Sequence, residues 1–599
     1  MAALLLLLSV GTLWPGLSAL NTVLIGDPGG DNLRGLWGLD QASRALRPPN
    51  AVVFSREFNF PFGGWALLLP FVSGVAASPL GLVFDANARW NLAILLSLWS
   101  TGVGCAAWVR LRTGSWSAAL AAAAALMGQP MLLHAVADGT PEHLGFGVMM
   151  LGLCLLERLI AHPTGPRAAV AGLSAGLIAL DSPYQAVFFA ILATERAPLL
   201  LLRLRRRGLR GGLRVVAAGL AGLAVAGAAL MALYSRFPAA ALDPATLRAN
   251  RAGNAVSLLH WWRLETGAVP VRDPSLVPSA LAVSTLVPAV GLAVVALGRS
   301  LGALAAGTVC LVLALGVGAG HASALGGWLG SVGVDAAQRI EALNVVLFEL
   351  PGISGVRFPR RFLVPAAMAL LMAGGLGWAA LERRVLDRRG DGPGLRVAAL
   401  ALGATVGLAG SLQGQRVMGL RSPFPLTELP PVAAMAFIAA HPSEGAVALL
   451  PEKRASKRAL QRHELPVFGG LESTLGGAAP LYLQVLHGRP QVSFPALLTL
   501  APRARTPRAR SLLEDWDVMT APATLGEPPP LSATRPNDDG RRAVGLDLML
   551  REGLRFLVLD DALYADAERA AMRRQLGRHL VDEQVFADGT GLRVMVLAP

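Results

Sequence analysis

Apolar stretches near 1–25, 89–109, 116–136, 144–160, 167–182, 184–202, 215–234, 279–297, 301–320, 362–381 and 396–412 alternate with short polar segments over the first two thirds of the chain. A helix that crosses a bilayer needs about 20 apolar residues, so these stretches predict about eleven membrane-spanning helices. The shorter ones are expected to be tilted, or paired with neighbours. The first lacks a basic N-terminal region and a small-x-small cleavage site, and is read as an uncleaved helix.

One more apolar stretch, from Phe62 to Phe84, is broken by Gly63, Gly64, Pro70, Gly74, Pro79 and Gly81. Whether it spans decides the topology. If it is a hairpin in the membrane interface, Arg110 and Arg112, the arginines of 203–214 and those of 383–396 all share the N-terminal side. One orientation then satisfies the positive-inside rule. This predicts a cytoplasmic N-terminus, one long outer loop over 26–88, and an outer location for 413–599.

The texture changes near Gln413, where prolines and charges become frequent. Leu429 to His441 predicts a helix entered through Pro430 and Pro431. Ala446 to Leu450 and Arg555 to Asp560 predict strands, and Ala565 to His579 a helix. Val581 to Phe586 and Leu592 to Leu597 predict a hairpin around Asp588-Gly589-Thr590-Gly591. The Pro- and Arg-rich stretch 501–543 reads as loop. The expected organisation is therefore a polytopic α-helical membrane domain, 1–412, followed by a small extracytoplasmic α/β domain, 413–599, of a size that can fold independently.

Composition agrees with the pattern. Of 599 residues, 53% are hydrophobic and only 15% charged, which excludes an ordinary multidomain soluble protein. The net charge of +14 comes from arginines between apolar runs, with no basic face interleaved with aromatics, so no nucleic-acid partner is expected. Cys105, Cys154 and Cys310 lie far apart inside apolar runs and read as small packing residues.

The predicted topology gathers polar residues on the outer face. Gly26-Asp27-Pro28-Gly29-Gly30-Asp31 opens the first outer loop. A carboxylate there can take the proton of an acceptor hydroxyl, which is a poor nucleophile while intact. The same residues also suit a solvated turn that uses Gly and Asp for its backbone. The second outer loop is only Asp138-Gly139-Thr140-Pro141-Glu142-His143. Its ionisable groups sit close to hydrocarbon, where such groups usually face a polar cavity; a hydrated loop with a cap at Thr140 is the other reading. Arg357, Arg360 and Arg361 precede a span on the outer side, against the positive-inside bias. Guanidinium groups hold phosphate oxygens through paired hydrogen bonds, and pairing with carboxylates or headgroups is the alternative.

These segments together resemble the GT-C-fold membrane glycosyltransferases. The resemblance rests on the acidic Gly26-Asp27…Trp37 segment, Asn59-Phe60-Pro61-Phe62-Gly63 entering the hairpin, and Asn87…Asn91 opening the next helix. It continues through Asp138 to His143, Pro183-Tyr184, Pro351-Gly352…Arg357-Phe358-Pro359-Arg360-Arg361-Phe362, and His487-Gly488-Arg489-Pro490 in the tail. It implies a transferase of the bacterial inner membrane that uses a polyprenyl-phosphate-linked sugar and a lipid, glycan or protein acceptor. Asp27 fits the place of the catalytic acid best and Asp31 second. Asp138, Glu142, His143 and Tyr184 would position acceptor or leaving group, and Arg357, Arg360 and Arg361 would hold the lipid phosphate. Two departures stand: the first-loop acids are four residues apart rather than adjacent, and no metal-ligand cluster is evident. No cofactor is expected, with a divalent cation left open. A transporter or lipid flippase, usually marked by repeated halves and charges at mid-membrane, is the main rival. A non-catalytic envelope-assembly scaffold with the same fold is the other.

Overall fold

The structure is a computed structural model. It describes residues 1–14, 16–26, 32–44, 54–55, 64–65, 71–234, 283–315, 359–389, 392–417, 426–429, 432–450, 479–487, 489–490, 499–500, 547, 549–561, 566–588 and 590–598.

Helices form wherever the apolar runs lie, because a bilayer core leaves backbone polar groups no partners but their own. Six helices among the described residues are long and apolar enough to cross a membrane: Ala86–Thr113, His143–Ala161, Gly208–Ala229, Leu297–Ala314, Leu363–Arg388 and Pro393–Leu412. Trp116–Met127 and Pro130–Ala137 form a seventh if counted as one span, bent by 45°. The bend follows from sequence: Pro130 lacks an N–H and disfavours helical backbone before it, and Gln129 is extended. The other runs give shorter helices, such as Ala2–Leu13 with 12 residues, Val283–Val295 with 13 and Gly165–Asp181 with 17. The described residues thus hold six or seven full-length spans where about eleven were expected.

The Leu363–Arg388 helix is the centre of the bundle, 89% buried over its apolar window, while Gly208–Ala229 lies at the rim with 17%. Small residues set the packing, since lipid gives no hydrophobic drive for helices to pair. A Cβ on Gly172 would overlap the carbonyl of Gly219, and one on Gly222 that of Ala169, so the Gly165–Asp181 and Gly208–Tyr234 helices touch backbone to backbone.

The stretch from Phe62 to Phe84 is described from Phe71 on. Phe71–Ala77 is a seven-residue helix, continued by a 3-10 turn, Ser78–Leu82. At 1.5 Å per residue it is far too short to cross a bilayer core of about 30 Å. Leu82 and Val83 stand exposed beside it.

The tail forms a four-stranded sheet in the order Ala446–Leu450, Leu554–Asp560, Leu592–Leu597, Leu580–Val585. The first pair is parallel and the others antiparallel. Leu554, Phe556, Leu557, Val558 and Leu559 are buried, as befits a central strand. Arg489 donates to the carbonyls of Ser443 and His441 and lies over the Phe556 ring.

The tail is also tied to the first outer loop. Val23–Ile25 pairs with Leu426–Glu428, and Gly64–Trp65 with Thr499–Leu500. Trp37 Nε1 donates to Gln484 Oε1 at 2.8 Å. The loop is therefore gripped at several points by strands and a helix some 400 residues away in sequence.

Candidate functional site

Of the predicted site residues, Asp138, His143 and Arg361 line one cavity. Asn91, near the start of the Ala86–Thr113 helix, fixes the exit of the first helix. Its Oδ1 accepts from Ile25 N at 2.8 Å, and its Nδ2 donates to Leu20 O at 3.0 Å and Val23 O at 2.8 Å. Thr427 Oγ1 then donates to the carbonyl of Gly26 at 3.0 Å. The residue before Asp27 is thus anchored from both sides.

Asn32 joins the first outer loop to the second. Its Nδ2 donates to Ala137 O at 3.0 Å. Gly26 and Gly139 both close on it, with φ of 134° and 68°, and a Cβ on either would overlap Asn32. The positive φ and the close approach each call for glycine. Asp27 and Asp31, the sequence neighbours of Gly26 and Asn32, lie outside the described residues.

Asp138 caps the Pro130–Ala137 helix at its C-terminal end. With Thr140, His143, His134 and Arg361 it lines a cavity of about 40 Å³ closed by Phe146, Phe188 and Val364. His143 is buried. Its Nδ1 donates to the carbonyl of Thr140, and its ring meets Trp90 edge-on at 6.0 Å. That bond leaves Nε2 of the neutral ring as an acceptor, and Nε2 has no partner among the described residues. An unpaired buried acceptor costs free energy, so a hydroxyl or water that fills it is favoured. Glu142 lies in the same turn, Pro141–Gly145, with its side chain outside the described residues.

Arg361 enters the cavity from the start of the central helix, its guanidinium 4.7 Å from the Tyr184 ring centre. The aromatic face attracts the cation and orients it. Tyr184 in turn packs on Phe188, which meets Phe362 at 5.2 Å. Arg360 belongs to the Pro359–Phe362 turn, its side chain outside the described residues, as is Arg357 altogether.

Asp181 is the last residue of the Gly165–Asp181 helix. It is fully buried, and its two oxygens accept from the backbone N and the hydroxyl of Ser73, each at 2.9 Å. It thereby holds the juxtamembrane helix against the site. Asp40 pairs with Arg89 at 2.6 Å and fastens the Asn32–Arg44 helix to Ala86–Thr113. Among the described residues, no three of His, Cys, Asp and Glu gather in a way that could hold a metal ion.

The opposite end of the bundle is basic. Arg112 is buried in an ion pair with Glu195 at 2.7 Å, beside the Arg196–Glu157 pair at 2.7 Å.

No protein-family model matches the chain, and no curated protein matches it. Solved structures do. The arabinofuranosyltransferase AftD from Mycobacteria is similar over 100% of this chain, with 17% identity and a TM-score of 0.53. The oligosaccharyltransferase AglB from Archaeoglobus fulgidus, solved with a dolichol-phosphate, is similar over 93% of this chain and 69% of its own, at 12% identity and a TM-score of 0.39. The arabinosyltransferase EmbB from Mycobacterium smegmatis covers 74% of this chain and 41% of its own, at 15% identity and a TM-score of 0.36. The chain has the fold of the GT-C-like membrane glycosyltransferases. It spans 39% of the length of AftD.

Proposed function

We propose that this protein is a multi-pass glycosyltransferase that moves a sugar from a polyprenyl-phosphate donor to an acceptor hydroxyl on the outer side of the bacterial inner membrane. In this reading the shorter helices complete about eleven spans, and the tail lies outside, where it steadies the first outer loop. The observation that carries the reading is the Asn32 junction, which sets the anchors of Asp27 and Asp31 against the loop of Asp138 and His143.

Each group then has a task. The Asp27 carboxylate takes the acceptor proton as the acceptor oxygen bonds to the anomeric carbon, with Asp31 second in line. The bond from that carbon to the phosphate oxygen breaks, and polyprenyl phosphate leaves with the electron pair. Arg361, with Arg357 and Arg360, stabilises the charge that grows on the phosphate. His143 Nε2 and Asp138 accept hydrogen bonds from acceptor hydroxyls, with Glu142 in the same loop, and Tyr184 keeps Arg361 in place. The chemistry needs no cofactor.

A single-particle structure with polyprenyl phosphate tests this. The phosphate should lie within hydrogen-bonding distance of Arg361, facing the Asp138 to His143 loop. A phosphate bound elsewhere, with Arg361 paired to protein carboxylates, would remove the basis for the assignment.

A further inference from the structure

We infer that the basic end of the bundle holds a second anion site, built for the phosphate headgroup of an anionic phospholipid. Arg299, Arg383 and Arg384 line an open cleft of about 370 Å³, floored by Val295 to Gly298 and Ala380. It lies some 20 residues along the central helix from Arg361, or about 30 Å at 1.5 Å per residue, so it is separate from the candidate site.

Arg383 donates to the carbonyl of Thr113, and Arg384 to that of Val295 at 3.4 Å. The backbone of Arg299 is fixed by Arg112, whose guanidinium donates to its carbonyl at 2.9 Å. These bonds hold the group in place yet use few of the five N–H donors of each guanidinium. Among the described residues, none of the three is within ion-pair reach of a carboxylate. The nearest in sequence, Glu382, is occupied by the hydroxyls of Ser115 and Ser117. Three cations around one cleft, with no carboxylate partner among the described residues, call for an anion. The apolar border names its kind: Val294, Leu297, Leu301, Leu381 and Val385 are exposed on the same helices. A phosphate with acyl chains matches both the cations and this apolar border, whereas free phosphate matches only the cations.

The test uses the full chain in nanodiscs of phosphatidylcholine with or without phosphatidylglycerol, with bound lipid counted by native mass spectrometry. The wild type should retain phosphatidylglycerol selectively. Each basic residue at a membrane surface contributes about fivefold, so replacing Arg299, Arg383 and Arg384 by Gln should weaken retention on the order of a hundredfold. Replacing Arg203, Arg205 and Arg206 removes equal charge elsewhere and should leave selectivity intact. If the triple variant does not fold, Arg299→Gln alone, at an exposed position, should still lower retention several-fold. Equal losses from both triple variants would mean diffuse attraction and overturn the proposal, as would full retention in the cleft variants. Inorganic phosphate in phosphatidylcholine discs is the last arm. If it alone raises Tm in an Arg383-dependent way while phosphatidylglycerol does nothing, the ligand is soluble and the lipid assignment fails.

Discussion

Gly139→Ala is the sharpest probe of the junction between the two outer loops. Gly139 has φ of 68°, where any residue with a Cβ is strained by about 1–2 kcal/mol. The new methyl would also overlap the backbone N and Cα of Asn32, which cannot rotate away as a side chain end could. One loop must therefore shift, by an amount on the order of 1 Å. A displacement of that size at a reacting centre can cost about a hundredfold in rate. Gly114→Ala is the control. It carries the same strain, with φ of 75°, but a Cβ there meets nothing within 4 Å, at the opposite end of the Ala86–Thr113 helix. The assay compares sugar transfer and Tm of the two variants in purified form. Both should lose stability, Gly139→Ala the more through its added overlap, while only Gly139→Ala should lose transfer by about a hundredfold. Equal transfer in the two variants would refute the idea that this contact sets the site.

Three further outcomes follow from particular contacts. Asp181→Ala leaves the N–H and hydroxyl of Ser73 unpaired, at a cost of about 1–3 kcal/mol per buried group, so 71–84 should become open to protease while the bundle stays inserted; unchanged cleavage would count against the clamp. Gly222→Leu should separate the Gly165–Asp181 and Gly208–Tyr234 helices and lower Tm by more than Gly227→Leu, since nothing lies near Gly227. The tail should loosen in acid. Burial raises the Asp561 carboxyl, but hydrogen bonds and charge from Arg593, with Arg569 and Arg573, outweigh it and hold it below its ordinary value; hydrogen bonds from Arg573 and then Arg593 do the same for Glu583 against burial. A carboxyl depressed in the folded state stabilises above its unfolded pKa of about 4, and that contribution is lost as pH falls through the lower folded values. Protection from hydrogen exchange at Leu580–Val585, with the intrinsic pH dependence of exchange divided out, should thus fall below about pH 4 and be flat from there to neutrality.

What was legible in sequence is what depends on local pattern. Most of the apolar runs hold a helix among the described residues, and the tail strands came out at Ala446–Leu450, Leu554–Asp560, Leu580–Val585 and Leu592–Leu597, because alternation and the Asp588 to Gly591 turn are local signals. The break at Gln129–Pro130 was not expected, since the run around it is apolar throughout. Charge bias alone pointed to Asp138, His143 and Arg361 at one end, and these do line one cavity. Asn32 and Asp181 were not legible as site builders. Their partners, Ala137 and Ser73, lie 105 and 108 residues away, and nothing in the spacing marks such contacts. A polar Asn just after a glycine-rich acidic turn was the one available hint. The ion pair of Arg112 with Glu195, 83 residues on, was equally invisible in the spacing.

Turnover by Asp27→Asn and Asp31→Asn tests glycosyl transfer most directly. Purified wild-type protein, given a radiolabelled polyprenyl-phosphate sugar and a membrane extract as acceptor, should transfer label. Losing a general base typically costs about a hundred- to ten-thousand-fold, so Asp27→Asn should be silent at normal insertion and Tm. Asp31→Asn should fall less. Normal turnover in Asp27→Asn would contradict the assignment of the base, and normal turnover in both variants would turn the reading from enzyme to scaffold.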